Sequence, residues 1–206
     1  MTDQTIQEAA ANYSEKAAGI LWGWHETLDE IARSREPVEG EYLERLTDAG
    51  REQLIREQQT ERAHTEREKY LREYRELTEE HHEQVKSRTR FLSERLFKVA
   101  GTPGEAVLPL ASSATEEQLM GMLEDALTGG SFDQARAVFV VAQRRQLAGV
   151  MGAYLDRADR EARALYEEWK AAPSEEIMER RLAGVETLTS PPDSSHFAWV
   201  PTFGVY

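Results

Sequence analysis

The chain has 206 residues, a formal net charge of −13, 40% hydrophobic and 31% charged residues, and no cysteine. The missing cysteine excludes a disulfide framework, a thiolate metal site and a cysteine nucleophile. The acidity is spread along the sequence, which disfavours nonspecific nucleic-acid binding, and no run approaches the ~18 apolar residues of a membrane-spanning helix.

Thirteen glycines and seven prolines are few for a β-sandwich or barrel, which needs frequent turn residues. The expected class is therefore all-α. Met1–Gln7 has neither the basic start nor the apolar run of a signal or transit peptide, so no targeting signal and cytoplasmic synthesis are expected.

The first predicted element is an amphipathic helix within residues 1–36, from about Thr5 to Arg35. Ile6, Ala9, Tyr13, Ala17, Ile20, Trp24, Leu28 and Ile31 recur at steps of three and four and share one face. Trp22 and Trp24 read as core or interface anchors. Glu36-Pro37 ends the helix, because proline drives its predecessor out of the helical region.

A long charged helix is predicted across residues 37–100, from about Val38 to Val99, where no proline occurs. Unbroken, it would run ~90 Å. Its ends are apolar, but Arg56–Lys69 reads REQQTERAHTEREK with Ala63 as the sole apolar residue. Burial offers little there. Pairs such as Glu52–Arg56 and Glu68–Arg72 add a few tenths of a kcal/mol each. A protruding or loosely paired, coiled-coil-like helix is expected, with a polar bend as the alternative. Lys86, Arg88, Arg90, Arg95 and Lys98 form a local basic stretch that offsets the dipole at the helix C-terminus.

Gly101-Thr-Pro-Gly104 reads as a stop, and residues 101–114 as a connector. A small helical domain follows over 115–184. Thr115-Glu-Glu-Gln118 is a capping box opening a helix to about Leu127, which Gly129-Gly130 ends. Ser131-Phe-Asp-Gln134 reads as a second box, opening one helix to about Ala171. Pro173-Ser174 starts a last helix to about Ala183.

Residues 185–206 read VETLTSPPDSSHFAWVPTFGVY. Pro191, Pro192 and Pro201 exclude a helix. Phe197, Trp199 and Phe203 fall on one side of an extended chain. With Val200 and Tyr206 they are the expected partner-binding residues of an extended aromatic arm. Four aromatics in ten residues are not the composition of a solvated tail.

Two Glu-x-x-His pairs, Glu61/His64 and Glu79/His82, have the spacing that puts two metal ligands on one helix face. They lie 18 residues, or ~27 Å, apart on one helix. Solvated histidines at 64, 81 and 82 are the plainer reading, and no metal is expected. Thr128-Gly-Gly-Ser131 and Gly101–Gly104 lack the lysine of a phosphate loop, and no Gly-x-Ser-x-Gly is present. No catalytic or cofactor residue is assigned. The expected function is a non-enzymatic structural or assembly subunit, with a bacteriophage virion as the preferred setting. Its partners would be other protein subunits, including further copies of itself. The alternatives are a helical-bundle metal or small-molecule protein and a cytosolic coiled-coil adaptor.

Overall fold

The computed structural model describes residues 4–34, 47–99, 101–158 and 161–188. These form eight helices and no strand, so the chain is all-α: α1 Ile6–Arg33, α2 Asp48–Phe97, α3 Thr102–Ser113, α4 Glu116–Thr128, α5 Phe132–Arg144, α6 Ala148–Arg157, α7 Ala162–Ala171 and α8 Glu175–Leu188. The first ten positions expected in the long helix, and the arm beyond Leu188, lie outside the described residues. No described helix is long and apolar enough to cross a membrane.

The chain divides into two compact units. One takes in residues up to Gln7 and Gln84–Ala172; the other takes in Glu8–Glu83 and residues from Pro173 onward.

In the unit built from α1, α8 and the first part of α2, the predicted face of α1 is the buried one: Ala9, Ala17, Trp24 and Ile31 are all buried. One cluster joins Ala17, Leu71, Tyr74 and Val185, so α8 contributes to the same core as α1 and α2. A second joins Trp24, Ile31 and Ala63. The stretch 56–69 is therefore a continuous helix covered on one side, and neither a bend nor a bare projection. Ala63 takes the contact because its small side chain lets α1 approach. One turn earlier, Gln59 donates from its amide to the carbonyls of Ile31 at 3.0 Å and Ser34 at 3.1 Å, tying α2 to the end of α1. Glu52 reaches Arg56, while Glu68 meets Arg67 rather than Arg72.

The other unit packs α3, α4, α5, α6 and α7 with the last turns of α2. Ala135, Val138, Phe139 and Ala142 of α5 are buried at its centre, with Leu119 and Leu123 of α4 and Val150 of α6. The expected connector is helix α3, packed on α5. Its Pro109 removes one backbone donor inside the helix. Ala111 is fully buried in the core, and Val107 and Leu108 pack against it, which outweighs that loss. The approach of α3 to α5 depends on Gly104. A Cβ there would lie 2.6 Å from Val99 and 2.9 Å from the Asp133 carbonyl.

The single helix expected from Ser131 to Ala171 is three helices, α5, α6 and α7. Leu147 N–H reaches Ala142 O at 2.9 Å and Gln146 N–H reaches Gln143 O at 3.1 Å. These are the two bonds of a Schellman helix end, which places Gln146 in the left-handed region at φ 57°. Helix α4 ends through the same pair of bonds, with Gly130 at φ 69° in the corresponding place. The Thr115 capping box forms in both directions. The second proposed box does not, because Ser131 makes no side-chain cap. Helix α8 runs past the expected Ala183 to Leu188.

Candidate functional site

Chemistry in each unit is concentrated where α2 buries polar side chains. From Leu71 the inward positions of α2 alternate by three and four: Leu71, Tyr74, Thr78, His81, Val85, Arg88 and Leu92. The coiled-coil period is present, but four of its seven positions hold polar groups.

Around Tyr74, Thr78 and His81, α1 supplies Tyr13. Its ring stacks on His81 with centroids 4.5 Å apart, and its hydroxyl lies 3.3 Å from Thr78 Oγ1. Burial, then the bond from Tyr13, raises the Tyr74 phenol, so it stays protonated. His81 is 3% exposed, and its Nδ1 has no hydrogen-bond partner among the described residues. Burial lowers its pKa, and the Arg181 and His82 charges lower it further. The expectation of a solvated His81 is thus overturned: it stands at an inward position of the seam, and only its neighbour His82 is half-exposed.

In the other unit, Arg88 and Glu168 form a two-point pair, Nε to Oε1 and Nη2 to Oε2, each at 2.9 Å. Glu168 Oε1 also accepts from Ile6 N–H, in the first turn of α1, at 3.0 Å. The bond from Arg88 holds the Glu168 carboxyl below its ordinary range, with Ile6 N–H adding to the shift against the cost of burial. One turn along, Trp169 Nε1 donates to Ser93 Oγ at 3.0 Å. These groups hold α7 to α2. Phe97, Phe139, Tyr154, Tyr166 and Trp169 form one connected set of ring contacts at 4.4–5.9 Å between centroids.

Beside that cluster is an open groove of about 510 Å³. Leu96, Tyr154 and Ala162 are buried along it, and Leu165 and Ala158 continue the apolar lining. Phe132, in the first turn of α5, stands at it 54% exposed. Arg95 and Arg136 supply its cationic side. Arg95 pairs with Glu161 at 3.2 Å. Arg136 Nη1 reaches only the Lys98 carbonyl, at 3.4 Å, while its Nε is buried with no hydrogen-bond partner among the described residues. This apolar concavity, with an exposed aromatic ring and two arginines at its lining, is the candidate binding site.

Of the expected partner-binding residues, Phe197, Trp199, Val200, Phe203 and Tyr206 all lie outside the described residues. Glu61, His64 and Glu79 are exposed. Among the described residues no three His, Asp or Glu side chains gather where they could share a metal ion. Within the basic stretch, Arg88, Arg90 and Arg95 pair with Glu168, Glu94 and Glu161. Of the two tryptophans in α1, Trp24 is 3% exposed and Trp22 65%, so only Trp24 is a core anchor. Sequence reasoning missed the groove because α2, α5, α6 and α7 each contribute one or two residues to it. The signal that could have marked Arg136 is a lone cation inside the otherwise apolar stretch Ala135–Ala142 of α5.

No protein-family model, curated protein or solved structure matches this chain.

Proposed function

We propose that the chain is a non-enzymatic structural subunit of a large protein assembly, and that its extended C-terminal arm docks it onto a neighbouring subunit. A bacteriophage virion, in which it would serve as a capsid-associated, decoration or scaffold-like protein, is the preferred setting. One observation carries the reading: the ionisable and polar side chains buried on α2 are engaged in holding helices together. Gln59 closes the end of α1, His81 stacks on Tyr13, and Arg88 ties α7 through Glu168. Chemistry invested in this way serves shape. Support also comes from the aromatic composition of residues 197–206, which is suited to burial against a protein surface.

Deleting residues 190–206 tests the proposal. The truncated chain should keep its helical circular-dichroism spectrum and, within a degree or two, its melting temperature, yet fail to enter the native particle. A truncated chain that melts several degrees lower and still enters the particle would show the arm to be an internal clasp. Absence of the full chain from any particle purified from the native source would remove the structural role.

A further inference from the structure

We propose that the groove beside α5 and α7 is the receptor for the C-terminal segment 189–206 of a second copy of this chain, which makes the protein a head-to-tail assembler of itself. The inference rests on the reading of the arm as a docking element and names the surface that takes it.

Three features of the groove match three features of the segment. First, the groove is apolar along Leu96, Ala162 and Leu165 and ends at the exposed ring of Phe132. Its volume of about 510 Å³ accommodates one or two large aromatic side chains and no more. The segment offers Phe197, Trp199 and Phe203 at alternating spacing, so adjacent aromatics can enter the groove while the residues between them face away. Second, the groove keeps a buried donor, Arg136 Nε, with no acceptor among the described residues. The atom itself has no exposed surface, so pairing it takes a rotation of the guanidinium, after which a bound acceptor would complete its hydrogen bonding. The acceptors that the segment would offer are its own backbone carbonyls. Third, the charges agree. Arg136 stands at the groove, next to an Arg95 that Glu161 pairs, in a chain of net charge −13. The segment 189–206 contains no lysine or arginine and one acid, Asp193.

The geometry has a consequence for the assembly. Arm and groove are different surfaces, so the contact is heterologous: every copy offers one of each, and such contacts close into a ring or continue as a filament. A symmetric two-fold dimer is not the product.

The test uses the full chain and two variants, with association measured by sedimentation velocity over a concentration series. The groove variant is Phe132→Ser with Arg136→Gln; the arm variant is Trp199→Ala with Phe203→Ala. Both should keep the wild-type circular-dichroism spectrum. The wild-type chain should grow beyond a dimer as concentration rises, and each variant alone should associate at least about tenfold more weakly, as loss of central aromatic anchors does. Mixing the two variants should restore a single complementary contact and stop at a heterodimer, because only one intact arm and one intact groove then remain. A synthetic peptide of residues 189–206 should disperse the wild-type assembly, and its Trp199→Ala version should not. Should the groove variant prove misfolded, the arm variant and the peptide competition decide alone. A chain that stays monomeric at every concentration overturns the inference, as does association that the arm variant leaves unchanged. If deletion of the arm blocks entry into the native particle while the groove variant enters normally, the arm docks on some other protein. The self-assembly inference then falls and the docking reading stands.

Discussion

His81 shows how a single inward side chain couples this protein to pH. It stacks from α2 on the Tyr13 ring, and burial, with the Arg181 and His82 charges, keeps its pKa below the ordinary imidazole value. The unfolded chain therefore takes up the proton more readily than the folded one. Stability from the neutral ring is fully present above ~6.5, the unfolded value, and declines as pH falls from there toward the folded pKa. Thermal melts should show a lower melting temperature at pH 5 than at pH 7, and His81→Gln should flatten that slope. An equal slope in the variant would assign the effect to other groups. Glu168 acts in a lower window. Its depressed carboxyl contributes stability that is present at neutral pH and lost only as pH falls below the ordinary carboxylate range of ~4.

At the level of the helices, legibility in the sequence followed glycine and proline more closely than it followed burial. The end of α1, the end of α2 near Phe97 and the start of α4 at Thr115 were readable because proline, glycine or a capping pair marks each of them. The break after α5 carries no such mark. Gln146 occupies the position that Gly130 fills at the end of α4, and its neighbours continue an apolar stripe, so the pattern reads as one helix through to Ala171. In α3 the opposite holds: residues 101–114 read as a connector, but packing on α5 makes them a helix even with Pro109 inside it. On α2 the seam from Leu71 to Leu92 keeps the coiled-coil period with polar occupants, and a reading that searched for apolar residues alone passed over it. None of the groove was legible, because side chains distant in sequence meet there. The aromatic composition of the arm was legible without reference to any fold. Gln146 also yields a measurable prediction. A non-glycine residue at positive φ is strained by roughly 1 kcal/mol or more, and glycine removes that strain at some cost in chain entropy. Gln146→Gly should stabilise the protein by up to ~1 kcal/mol in urea unfolding, and Gln146→Val should destabilise it by ~1–2 kcal/mol. No difference between the two variants would mean that the turn does not depend on its left-handed residue.

Over the molecule as a whole, the two units draw on different resources. One has a dense apolar centre on α5, where Ala135, Val138, Phe139 and Ala142 have no exposed surface. The other has, along residues 56–69, Ala63 as its single buried apolar side chain, with Gln59 buried one turn earlier. Backbone amides open most readily where few apolar contacts hold a segment. Hydrogen exchange should therefore be faster across 56–69 than across α5 and α6, and equal protection would contradict this account. The arrangement of α8 has a further consequence, for biosynthesis. Val185, in α8, completes a core whose other members are Ala17, Leu71 and Tyr74. At typical rates of translation a ribosome needs roughly ten to thirty seconds to proceed from Ala17 to Val185. In the later part of that interval, once the chain has been made past Tyr74, the shared core of α1 and α2 still lacks its last helix, and the apolar faces of both are available to chaperones or to a neighbouring nascent chain.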